Sequence, residues 1–211
     1  LGLLSGASIL LAIITRGADD PSRAGAELLA EYGLGVVAPV CTLWLGASAI
    51  GDLVEDRTLV YLWLRPIPRW QLGAAAVAST LVIVAPLVGV PLVVAAALTE
   101  TDGAIAGSAA AVALGAIAYS GVFVALGARV NRALWWGLGY VLVWENSIAR
   151  ISDGTARLAV RSYTHTILSK LTDEHLRLAD RSTVASVVVP LALAVLAVLW
   201  TARVLTRREI D

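Results

Sequence analysis

Glu145 is the carboxylate that stands within reach of an otherwise apolar run, 133–144, and that placement gives it chemical weight. An ionisable group in such surroundings is costly unless it is paired or wetted, so Glu145 is a functional candidate, with Arg150 and Arg161 as partners that could hold it in a partly desolvated charge pair. The bland alternative is an end-of-helix carboxylate reaching water. His165 and His175 lie ten apart with Asp173 and Glu174 beside the second, a spacing that promises no convergent zinc ligand set, and both read as solvated surface histidines. Ser120-Gly121 lacks a G-x-S-G approach, because Ile117, Ala118 and Tyr119 precede it; a serine in such a Gly/Ala-rich helix reads as a packing residue bonded to its own backbone. The lone Cys41 makes neither an intrachain disulfide nor a thiolate cluster and reads as a small buried hydrophobe. The one lysine, Lys170, follows His165-Thr166-Ile167-Leu168-Ser169 and not a glycine-rich loop, so no P-loop is present and ATP hydrolysis is not expected on this chain.

The elements that must carry these groups are set by composition. Of 211 residues, 58% are apolar and 15% charged, with a mean hydropathy of +0.80. Soluble domains carry about 25% charged residues. Uncharged stretches run over 1–15, 32–51, 70–99, 103–128, 133–144 and 182–202. A crossing takes about 20 helical residues, so the reading is an all-α, polytopic membrane bundle of about six transmembrane helices in one domain, residues 1–211, embedded in membrane lipid. Sixteen Lys and Arg balance sixteen Asp and Glu, which leaves no basic footprint for nucleic acid. No Met occurs, even at position 1, and the first span is expected to be cut short at its N-terminal side. It is not read as a signal peptide, since no basic region precedes it and no A-x-A-like site closes it.

Along the chain, a second span over 34–50 ends in Asp52, Glu55, Asp56 and Arg57, and a third over 71–98 carries Pro86 and Pro91, which predict a kink. The short turn 99–103 makes the third and fourth spans antiparallel neighbours, and the Gly, Ala and Ser content of 104–128 marks the fourth as a packing helix. The fifth begins at Ala133 with Leu134, Trp135 and Trp136 at an interface. Residues 150–181 hold ten charges and both histidines; Val160, Tyr163, Ile167 and Leu171 recur at helical spacing, with Arg157, Arg161 and His165 on another face. That pattern predicts amphipathic helices lying on or dipping into the outer membrane surface before the last span at 182–202. Arg57, Arg65, Arg69, Arg129, Arg132, Arg203, Arg207 and Arg208 fall on one side, concentrated next to span ends, which places that side and both termini in the cytoplasm of a plasma-membrane protein.

The stretch 55–73 reads EDRTLVYLWLRPIPRWQLG. By its residue types it is a charged helix end, a short helix with Leu59, Leu62 and Trp63 on one face, and a proline-shaped return anchored by Arg65 and Arg69. It resembles the cytoplasmic coupling helix between the second and third spans in permease subunits of type-2 ATP-binding-cassette exporters, which runs roughly E-x-G-T-L-x-x-L-x-x-x-P-x-x-R with a later L-G. Glu55, Thr58, Leu59, Leu62, Pro66, Arg69, Leu72 and Gly73 stand at those positions, while Arg57 replaces the usual Gly and Ala74 a frequent Lys. Val143-Trp144-Glu145 followed by Ala159-Val160-Arg161-Ser162-Tyr163 is similar to a second pattern of the same permeases, in which a long outer segment returns before the last span. The resemblance implies a permease that dimerises with a second permease subunit and couples through Glu55, Arg57, Thr58, Leu59, Leu62, Trp63, Arg65, Pro66 and Arg69 to separate ATP-binding-cassette ATPase chains, where ATP and magnesium would bind. Glu145, Arg150, Arg161 and Tyr163 are then candidates for an outer gate. Two other classes remain beside it: a proton-coupled secondary transporter using Glu145, and a membrane scaffold that transports nothing.

Overall fold

The computed structural model describes residues 1–56, 68–99, 101–147, 153–174, 176 and 181–207. Every regular element among them is helical: α1 (Gly2–Thr15), α2 (Pro21–Leu28), α3 (Ala38–Glu55), α4 (Arg69–Val84), α5 (Val90–Leu98), α6 (Ala104–Arg129), α7 (Ala133–Gly139), α8 (Asp153–Ala156), α9 (Val160–Thr172) and α10 (Thr183–Arg207). Three π-helical segments interrupt them, π1 (Leu29–Val37), π2 (Ala85–Gly89) and π3 (Tyr140–Glu145). Four of the described helices are long and apolar enough to cross a membrane, Pro21–Val54, Arg69–Leu98, Ala104–Arg129 and Thr183–Thr206. The expected six would need α1, of 14 residues, and the run 133–145, both shorter than the about 20 that a crossing takes.

The second span is longer than its apolar stretch suggested because α2, π1 and α3 form one continuous rod. Asp20 starts it, its Oδ1 accepting from the Arg23 N–H at 3.2 Å and the Ser22 hydroxyl at 2.9 Å, and those bonds hold the carboxyl below its ordinary range. Pro21 occupies the first turn, where its missing N–H costs nothing. In the third span Pro86 sits in the first turn of π2, so the backbone absorbs the lost donor by switching its hydrogen-bond register instead of breaking.

α6 is the axis of the bundle and packs against α3, α4, α5, α7, α9 and α10. Its small residues make that possible. A side-chain carbon at Gly121 would lie 2.9 Å from the Cα of Ala194 on α10, and one at Gly127 would run into the Ala47 carbonyl of α3. In lipid no hydrophobic drive joins helices, and close backbone approach supplies the packing energy in its place.

The antiparallel hairpins leave two ends. At one, the start of α4 meets the ends of α3, α6 and α10, where Ile50, Ala76, Val124, Ala128 and Leu205 form a buried cluster. At the other, the Thr101 hydroxyl donates to the Ser22 carbonyl at 3.0 Å and Lys170 Nζ to the Thr183 hydroxyl at 3.0 Å, tying together the start of α2, the 99–103 turn, the end of α9 and the start of α10.

The segment before the last span departs from expectation. α9 is not an interfacial helix with one wet face, because residues 160–168 are buried on every side, Arg161 and His165 as completely as Val160 and Ile167. It is inserted into the bundle antiparallel to α6, with Gly107 beside Leu168 and Gly115 beside Thr164. Its hydroxyls bond back to their own helix, Ser162 to Ala159, Thr164 to Arg161 and Thr166 to Ser162, which removes the need for water along the polar face. Leu171, close to the end of the helix, is exposed. Asp173, at φ +54, ends it in a left-handed cap.

Candidate functional site

The run expected as a fifth span, α7 with π3, stops about halfway along α6. α7 and π3 rise from the basic 129–132 turn and end at Glu145, in a cluster where Val141 and Val160 pack with Tyr119 and Phe123 of α6. Phe123 lies between Tyr119, stacked on it at 5.7 Å between ring centroids, and Tyr140, edge-on at 6.3 Å. Tyr119 is the sixteenth residue of α6, so the break sits ~20 Å along that helix from its start. α9 then covers the remaining height. Two half-helices thus occupy one track, and their facing ends carry Glu145 and Arg161.

Glu145 is fully buried. Its Oε1 accepts from the Tyr140 hydroxyl at 2.7 Å and from the Val160 N–H at 3.1 Å, and its Oε2 accepts from the Arg161 N–H at 3.1 Å. The N-cap residue of α9 is Ala159, which has no side chain to satisfy the first-turn donors. Glu145 therefore acts as a cap supplied from another element, and its negative charge faces the positive end of the α9 dipole.

The guanidinium of Arg161, with no exposed surface, turns away from Glu145. Its Nη2 lies 2.6 Å from Glu31 Oε2, its Nη1 donates to Asn146 Oδ1 at 2.5 Å, and its Nε lies 3.1 Å from His165 Nε2. Asn146 Nδ2 donates in turn to the carbonyls of Val141 at 3.0 Å and Gly35 at 3.3 Å, and His165 Nε2 is 3.0 Å from the Ala30 carbonyl. Both carbonyl contacts to the second span fall on π1. Gly35 is required there, since a side-chain carbon would lie 2.8 Å from Cζ of Arg161.

Of the outer-gate candidates, Glu145, Arg161 and Tyr163 come together at the start of α9, and Tyr163 donates its hydroxyl to the Arg157 carbonyl at 2.7 Å, fixing the turn that leads into the helix. The expected Glu145–Arg161 side-chain pair is corrected: the carboxylate takes the backbone N–H of Arg161, and the guanidinium goes to Glu31. Arg150 lies outside the described residues, as do Arg57, Thr58, Leu59, Leu62, Trp63, Arg65 and Pro66 of the elbow. Glu55 is the last residue of α3, and Arg69 opens α4 half-buried. His165 is buried and not solvated; His175 lies outside the described residues. Sequence reasoning missed Glu31, Asn146 and His165. A signal for Glu31 existed in its position, four residues after Glu27 at the head of an apolar run.

Ser120 donates to the Ala116 and Ile117 carbonyls, the packing role expected of it, and Cys41 is buried. Among the described residues no group of His, Cys, Asp and Glu could hold a metal ion. Comparison with known protein families, curated proteins and solved structures gives no match for this chain.

Proposed function

We propose that the chain is the membrane-spanning permease subunit of an ATP-driven exporter, working as a dimer with separate ATP-binding-cassette ATPase chains, in the plasma membrane and with both termini in the cytoplasm. The observation that carries this reading is the broken fifth span with an ionic knot at its break. Discontinuous helices that meet mid-bundle, with irregular backbone only where protein surrounds it, belong to membrane proteins that open and close a path. The 55–73 elbow sequence supplies the reason to choose ATP as the driving force. Nucleotide-driven closure of the ATPases would push the elbow, and α3 and π1 form one rod from there to the carbonyls of Ala30 and Gly35. A displacement of that rod reaches Arg161 through Glu31, and so moves the half-helix α9 that covers the outer half of the track.

The test is Leu62→Asp. If Leu59, Leu62 and Trp63 seat in an ATPase groove, a charge buried there costs on the order of several kcal/mol before relaxation. Stimulation of the ATPase by the permease in reconstituted membranes should be lost. Unchanged stimulation and assembly would remove the coupling assignment. A secondary transporter is the second reading, favoured by the complete burial of Glu145. It requires ATP-independent transport driven by a proton gradient and abolished by Glu145→Gln.

A further inference from the structure

We infer that His165 is a proton site which switches its ring between two partners, the Arg161 guanidinium on its own helix and the Ala30 carbonyl of the second span. The ring nitrogen Nε2 lies 3.1 Å from Arg161 Nε and 3.0 Å from the Ala30 carbonyl oxygen. The guanidinium nitrogen only donates and the carbonyl only accepts, so one nitrogen cannot satisfy both. With a lone pair on Nε2 the ring accepts from Arg161, and the Ala30 contact is two acceptors facing each other. With a hydrogen on Nε2 the ring donates to Ala30, and Arg161 Nε loses its acceptor. A proton added to the neutral ring enforces the second state and sets an imidazolium against the guanidinium.

The surroundings allow both states. Besides Arg161 on its own helix, the ring region holds Glu31 on π1, whose half-exposed side chain can answer a second positive charge. Glu145 on π3 directs its oxygens to the first turn of α9, with Tyr140 donating to it. α6 brings Tyr119 as its titratable group nearest this height, α2 brings Arg23 near its start and Glu27 near its end, and residues 183–202 of α10 carry no charge. The Ala30 carbonyl belongs to π1, where the i→i+5 register leaves a backbone segment that can exchange partners at little cost. Acidification therefore ties α9 to the second span through the Ala30 carbonyl and releases the ring from Arg161 Nε. This holds whether or not the chain transports anything; in the permease reading it would hold the outer half of the fifth track shut at low pH.

The chain has two histidines, so the His175→Gln protein labelled with ¹⁵N-histidine reports His165 alone. In lipid nanodiscs taken through a pH titration, the Nε2 resonance should move from a lone-pair nitrogen at the alkaline end to an N–H nitrogen at the acid end. Amide hydrogen exchange over 29–37, corrected for its intrinsic pH dependence, should slow about fivefold across the same midpoint, the factor set by one net hydrogen bond. His165→Phe should abolish that step. An Nε2 that keeps one state over the whole range overturns the proposal, and so does an exchange step that persists in His165→Phe. The nitrogen spectrum needs no change at position 165, so it decides the matter even if His165→Phe fails to assemble. Neither measurement involves an ATPase, so a negative result here leaves the exporter reading untouched.

Discussion

Arg161 shows how a charge is accommodated inside this bundle: every nitrogen of its guanidinium finds a group on π1, on the turn after π3, or one turn along α9. Its pairing with Glu31 sets a prediction at the residue scale. In a double-mutant cycle, Glu31→Gln and Arg161→Gln should couple by about 1–2 kcal/mol, whereas Glu145→Gln and Arg161→Gln should couple by less than about 0.5 kcal/mol, because Glu145 touches the Arg161 backbone and not its side chain. Unfolding of the purified protein in detergent reads both values. The reverse ranking would restore the Glu145–Arg161 side-chain pair. Glu145→Gln makes its own prediction. An amide nitrogen in place of one carboxylate oxygen points a donor at a donor, so a hydrogen bond to a charged group worth about 1.5–3 kcal/mol is lost. Hydrogen exchange should speed up at residues 160–163 of α9 and stay unchanged towards Thr172. Uniform acceleration along α9 would mean that Glu145 supports the whole helix and not its N-terminus.

At the scale of elements, α6 organises the fold because its side chains are small on the faces that meet α3 and α10. Gly127 and Gly139 make the test. A methyl group at Gly127 meets the Ala47 carbonyl, backbone that cannot rotate aside, while one at Gly139 meets nothing within 4 Å. Gly127→Ala should destabilise the protein by about 1–3 kcal/mol as an overpacked contact. Gly139→Ala should be neutral or slightly stabilising. Equal effects in an SDS unfolding titration would overturn the close approach of α6 to α3 at Gly127. The π segments belong to the same scale. π1 and the turn after π3 meet at the Arg161 side chain, and π2 carries Pro86; π1 and π2 lie where backbone geometry answers a local demand, for partners in the first case and for a missing donor in the second.

At the scale of the whole molecule, the two ends of the bundle differ in charge placement, and labelling from outside tests which end faces the cytoplasm. Single cysteines at positions 132 and 207 are expected to resist an impermeant thiol reagent in intact cells, and ones at 102 and 173 to react, in a background in which Cys41→Ser removes the native thiol. Labelling at 132 with protection at 102 would turn the molecule over. The exposed Trp135 and Trp136, beside the 129–132 basic turn, mark that end as an interface whichever way it points.

How much of this could be read without coordinates follows from the range of each interaction. The uncharged stretches, the 99–103 turn and the small residues of 104–128 were legible, because span length, turn length and side-chain size act over neighbouring residues. Those properties determined an all-helical membrane bundle in which the fourth span is a packing helix; its place at the centre came from the tertiary structure. The spacing of Val160, Tyr163, Ile167 and Leu171 was legible too, but it predicted a wet face that α9 does not have. Periodicity records which residues share a face of a helix; it does not record what covers the other face. Only the tertiary structure brought Glu31 to Arg161, Glu145 to the first turn of α9 and His165 to the Ala30 carbonyl. Each of these is a hydrogen bond or ion pair between segments far apart in sequence, and such partners are what make the burial of charged groups on α9 tolerable.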